Sequence, residues 1–199
     1  MTKRRIAAIA LAVIVALAGS ALVGYQLSGR GAATAQRGLG IGGPIDLPAT
    51  TGKRFSTADL GGKPYAVFFG FTRCPNICPT TLSDLTLDLE QLGPLADRLQ
   101  VLFVTVDPER DTTSSMKDYL SAFDPRIIGL SGTPEEIAAV AKAYRVYYEK
   151  VPTEGGDYTM NHTATVYLMD GKGELTGTLS LEEEQPTRVA KLKRLAESG

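Results

Sequence analysis

Residues 68–81 read FFGFTRCPNICPTT, and they hold both cysteines of the 199-residue chain, Cys74 and Cys78, each followed by a proline. Thiols at this spacing have two chemical uses: a dithiol that cycles with a disulfide, or a pair of soft ligands for a metal ion. Other candidate groups are scarce, because the chain has a single histidine, His162, and no tryptophan. Two cysteines do not make a disulfide framework. Nor is one needed, since a core of about 150 residues buries roughly two thirds of its unfolded-chain surface.

The elements around the pair decide how the sulfurs are presented. Tyr65–Phe71 is a short, almost wholly apolar run, as is Leu99–Val106, and both read as parallel strands buried on two faces. Between them Thr80–Leu92 carries Leu82, Leu85, Leu89 and Leu92 at helical spacing and stops at Gly93-Pro94, which completes a βαβ unit. Further on, Ser114–Phe123 and Pro134–Tyr144 read as helices flanking the strand Ile127–Leu130. A hairpin follows over Thr163–Met169 and Glu174–Ser180, and Pro186–Glu197 is a closing helix. The expected fold class is α/β, a sandwich around a mixed sheet. Loops leaving the carboxyl ends of the strands gather on one edge of such a sheet, and ligands bind there. Cys74 and Cys78 lie on such a loop, just ahead of a helix N-terminus whose unpaired N–H groups favour thiolate over thiol.

Ahead of this domain, MTKRR is followed by about 20 uncharged residues, Ile6–Tyr25, long enough to span a bilayer as a helix. Lys3, Arg4 and Arg5 keep the N-terminus cytoplasmic by the positive-inside rule and place the rest of the chain outside. A cleaved signal peptide is the alternative, but its apolar region is usually about 7–15 residues. The expected organisation is a membrane anchor over 1–28, a Gly/Ala/Gln-rich tether over 29–43 and one domain over 44–199. With 22% charged residues and a formal net charge of −1, the chain lacks the basic excess that nucleic-acid binding requires.

Three segments carry a family resemblance. CPNICPTTL after the first strand, VTVDPERDT over Val104–Thr112, and DYTMNHTATVYLMD over Asp157–Asp170 resemble, in this order, the signature segments of the Sco/SenC family. The resemblance covers roughly Ile41–Ala196. It implies a thioredoxin-like fold and a membrane-anchored protein that binds copper and assists assembly of the CuA centre of cytochrome c oxidase. It further implies that Cys74, Cys78 and His162 are the metal ligands and that Asp107 and Asp111 lie near the site. It makes the copper-accepting oxidase subunit the expected partner, alongside another periplasmic copper chaperone or a thiol reductant. A bacterial inner membrane, with the domain on the periplasmic side, is the expected location. One departure is Asn161, since the family often has an aspartate before the histidine.

The chemistry of the donors agrees. Two thiolates and an imidazole suit Cu(I) and also accept Cu(II) with one further oxygen, whereas structural zinc would want a fourth protein ligand. Two rival readings use the same residues. Cys74 and Cys78 are a redox-active disulfide in a thiol–disulfide oxidoreductase that reduces the partner's cysteines, or, less favoured, one is the reactive thiol of a peroxidase with Arg73 beside it. Asp107 and Asp111 also have a duller reading, as a loop acid and a helix cap.

Overall fold

The computed structural model describes residues 40–180 and 182–199. The expected anchor over 1–28, and the tether as far as residue 39, lie outside the described residues. Among the described residues no helix is long and apolar enough to cross a membrane. The end of the expected tether is fastened to the domain: Gly42 N–H donates to Ala143 O at 2.9 Å and Tyr144 O–H donates to Gly43 O at 3.1 Å.

The chain first makes a small hairpin, β1 (Asp46–Pro48) and β2 (Arg54–Ser56), then β3 (Tyr65–Gly70), α1 (Ile77–Leu92), β4 (Gln100–Thr105), α2 (Thr113–Leu120), β5 (Ile127–Leu130) and α3 (Pro134–Ala143). A second hairpin follows, β6 (Tyr148–Pro152) and β7 (Tyr158–His162), and the chain ends with β8 (Val166–Met169), β9 (Leu175–Leu179) and α4 (Gln185–Glu197). The central sheet has the order β5-β4-β3-β8-β9, with β3, β4 and β5 parallel and β8 and β9 antiparallel. This is the expected α/β arrangement, a thioredoxin-like fold with a five-stranded mixed sheet.

All six residues of β3 are buried, which is why its sequence shows no polar alternation. Strand geometry sends alternate side chains to opposite faces. Phe68 stacks with Phe103 on one face, while Phe69 meets Tyr144 and Tyr167 on the other. The outer edge of β5 is covered by the N-terminal hairpin, through an Ala49–Leu130 bridge and Thr50 N–H to Gly129 O at 2.9 Å. Helices α1 and α4 pack together around a buried ion pair in which Arg188 Nε donates to Asp88 Oδ2 at 2.8 Å.

Two expectations need correction. Helix α1 starts at Ile77, not Thr80, so Cys78 lies in its first turn; Pro79 is tolerated as the third helical residue because its missing N–H would have no carbonyl partner. The second concerns His162, which ends β7 in a separate two-stranded sheet, while β8 begins only at Val166. The hairpin β6–β7 was not anticipated. Its outer residues face solvent, so Tyr148–His162 shows no run of apolar positions that would announce two strands.

Candidate metal centre

Cys74 sits in the loop after β3, and its Sγ accepts a hydrogen bond from the Cys78 N–H at 3.3 Å. The N-cap residue Asn76 makes no side-chain cap. The Cys74 sulfur therefore takes the place of a capping oxygen on one of the orphan N–H groups of α1. Cys78, on the first turn, is buried, whereas Cys74 is half-buried. A loop sulfur at the helix start, rather than two sulfurs on one helical face, is how the spacing is used.

Gly70, the last residue of β3, makes room for Cys78. A Cβ at this position would lie 2.8 Å from Cys78 Sγ and 2.7 Å from the Phe103 ring, so any side chain would push the sulfur or the ring aside. Sequence reasoning missed this glycine, although its signal is visible as an interruption in an aromatic strand end, FFGF.

His162 approaches from the hairpin. Its Nδ1 lies 3.0 Å from Thr163 O, and because a carbonyl only accepts, Nδ1 carries the proton and Nε2 presents a lone pair. That lone pair faces Cys78 Sγ at 3.6 Å. The ring is wedged edge-on against Phe71 and Phe68, with centroids 5.7 and 6.3 Å away. A donor atom from each of Cys74, Cys78 and His162 lies within 4.8 Å of the others, and no other such group of three occurs among the described residues.

The pair is electrostatically asymmetric. The hydrogen bond from the Cys78 thiol, together with the N–H groups of Cys78 and Asn76, outweighs burial and holds the Cys74 thiol down at about 4. In return, its hydrogen bond to Cys74 and its burial push the Cys78 thiol far up. Cys74 is a thiolate at neutral pH and Cys78 a thiol, so the three donor atoms share one sulfur-bound proton.

Asp107 and Asp111 are buried, and neither joins a metal-binding group of three among the described residues. Asp111 accepts from Thr72 N–H at 3.0 Å, Thr72 O–H at 2.5 Å and Thr105 O–H at 2.7 Å. Asp107 accepts from Tyr158 O–H at 2.9 Å and pairs with Arg110. The cap of α2 is Thr112, whose hydroxyl accepts from Ser115 N–H, and not Asp111. Both carboxylates are thus committed to protein donors. Asn161 is exposed, on the opposite side of β7 from His162 in the strand alternation. Arg73 is exposed.

A family model described as SCO1/SenC matches residues 33–197. Protein SCO1, mitochondrial, of Saccharomyces cerevisiae is 40% identical over 166 residues, 80% of this chain and 56% of its own length. The human SCO1 homolog is 40% identical over 146 residues, 70% of this chain and 48% of its own. The chain thus spans about half the length of these curated relatives. Among solved structures, Bradyrhizobium japonicum ScoI with copper bound matches with a TM-score of 0.73 and 49% identity, covering 78% of this chain and 99% of that one. Yeast Sco1 with copper bound matches with a TM-score of 0.72 and 39% identity, covering 80% and 90%.

Proposed function

The chain belongs to the SCO1/SenC family, and from that premise we propose that it is a copper metallochaperone. In this reading it holds copper through Cys74, Cys78 and His162 and passes it by ligand exchange to the copper-accepting subunit of cytochrome c oxidase during CuA assembly. In this reading it acts by binding and handing over metal, not by catalysis, whereas the thiol-exchange reading below would make it an oxidoreductase. The apolar run over Ile6–Tyr25 anchors it in a bacterial inner membrane, with the domain on the periplasmic side and the tether setting its reach. A second periplasmic copper chaperone or a thiol reductant would keep it supplied with metal or in its reduced form.

The observation that carries the reading is the convergence of two sulfurs and an imidazole lone pair within 4.8 Å. Bonds of about 2.0–2.3 Å in a trigonal plane place donors roughly 3.5–4 Å apart, and the Cys78 Sγ to His162 Nε2 separation is already 3.6 Å. The donor set is soft enough for Cu(I). For Cu(II), a further oxygen donor would come from solvent, because Asp107 and Asp111 already accept hydrogen bonds from other groups. The copper-bound ScoI and Sco1 relatives support the choice of metal.

Copper titration of the reduced protein, with and without His162→Ala, tests this. The variant should lose most of the sulfur-to-copper charge-transfer colour of the Cu(II) form while Cu(I) binding, measured against a chelator, falls much less. Cys74→Ser and Cys78→Ser should damage both. Full Cu(II) colour in His162→Ala would make the histidine a bystander.

A second reading, thiol–disulfide exchange with the partner's cysteines, is favoured by the half-buried thiolate at Cys74 beside a free Cys78. The two are separable. Air oxidation should form a Cys74–Cys78 disulfide, and a metallochaperone so oxidised should bind no copper.

A further inference from the structure

The metal donors arrive on two pieces of chain that do not hydrogen-bond to each other as strands: the Cys74/Cys78 loop after β3, and the β6–β7 hairpin, a sheet of its own whose first strand is mostly exposed. Between them lies the turn Asp107–Asp111. It is a closed unit, since Arg110 N–H and Asp111 N–H both donate to Asp107 O, at 3.1 and 2.9 Å.

The two ends of this turn face different halves of the site. Asp111 receives the backbone and side chain of Thr72, two residues before Cys74. At the other end Arg110 donates to Tyr158 O at 2.9 Å and Asp157 Oδ1 at 3.2 Å, and its guanidinium lies 3.6 Å above the Tyr158 ring. Asp107 takes the Tyr158 O–H, and Glu109 pairs with Lys150 on the facing strand. Tyr158 opens β7 and His162 closes it, so the strand is fixed at the end away from its imidazole.

Resting on the metal-centre reading above, we propose that Asp107, Arg110 and Asp111 are positioning residues, and that this single turn sets the thiols and the imidazole against each other through two separable grips. Asp111 holds the cysteine loop; Arg110 with Asp107 holds the histidine hairpin. None of the three touches the metal. All three bonds to Asp111 are accepted by a carboxylate; an amide keeps one oxygen for Thr72 N–H and Thr105 O–H and turns the Thr72 hydroxyl into an acceptor, so charge-assisted bonds give way to weaker neutral ones and that grip loosens. Losing Arg110 removes charge-assisted hydrogen bonds and the cation–π contact from the other grip.

The test is amide hydrogen exchange in the copper-free, full-length protein, which keeps the outcome independent of which metal is carried. Arg110→Ala should speed exchange in residues 158–163 by about tenfold or more, the loss of one hydrogen bond to a charged group, with 72–78 unchanged. Asp111→Asn should do the reverse. Tyr158→Phe, which removes only the hydroxyl, should repeat the Arg110→Ala pattern more weakly and stands in for it if that variant does not fold. After copper loading, Arg110→Ala should lower the Cu(II) charge-transfer band while Cu(I) affinity stays within about threefold, and Asp111→Asn should weaken both. Faster exchange in both segments for either variant, or wild-type exchange in both for Arg110→Ala and Tyr158→Phe, overturns the proposal. Full Cu(II) colour in His162→Ala with these exchange patterns intact would instead reject His162 as a copper ligand and leave the two grips standing.

Discussion

Before any metal arrives, Cys74, Cys78 and His162 hold three lone pairs around one thiol proton, and that proton has to leave for both sulfurs to bind. Cys74 is already ionised above about pH 4, while Cys78 keeps its proton well past neutrality. Binding therefore expels about one proton, and the association constant for Cu(I) should rise about tenfold per unit between pH 7 and 9. Proton release in weakly buffered solution measures this directly; release of two protons, or none, contradicts it. Gly70 supplies a second test. Gly70→Ala should destabilise the domain by about 1–3 kcal/mol, as overpacking does, and weaken both copper states by displacing Cys78, with denaturant unfolding and chelator competition as the two measurements. The chemistry-bearing side chains were legible because thiols and imidazoles are scarce in this chain and fall into known segments. Gly70 was not, because its role is the space left for a sulfur that comes eight residues later.

The elements show a similar division. Strands β3, β4 and β5 and helices α1 to α4 follow from apolar runs and helical spacing, to within a few residues at their ends. What escaped was β6–β7, for it buries little beyond Met160 and is held mainly by polar contacts to another loop. Periodicity reports burial, and this hairpin has too little of it. Polar partnerships between elements were equally silent, as in the contact of α1 with α4. There Asp88 is fully buried and Arg188 nearly so, with Arg188 also donating to Glu183 O at 2.7 Å. Burial raises the Asp88 carboxyl more than Arg188 lowers it. Arg188→Ala should then cost about 3–5 kcal/mol by leaving a bare buried carboxylate, whereas Asp88→Leu with Arg188→Met should be near neutral. Urea unfolding distinguishes them, and copper affinity measured well below the transition should be unchanged in both. A loss under 1 kcal/mol for Arg188→Ala would show that water reaches Asp88.

At the scale of the whole molecule, the described domain begins no later than Gly42, whose N–H is bound to the end of α3. A chain starting at Gly40 should therefore be soluble and fully folded, while the full chain should sediment with membranes and resist extraction by salt and alkali. Recovery of the full-length product as a soluble, N-terminally shortened periplasmic protein would replace the anchor with a cleaved signal. The layout of the centre has one more consequence, a kinetic one. Cys78 and His162 are separated by 84 residues, and the strand that ends in the imidazole comes after three parallel strands and their crossovers have formed. Long-range closures of this kind are entropically expensive and come late in folding. An unfolded or half-folded chain can offer a metal only the local cysteine pair; the third donor arrives when the β6–β7 hairpin packs beside it. In the proposed copper site, imidazole coordination would thus certify a docked hairpin, and copper captured too early would sit in a two-sulfur complex until the histidine arrives.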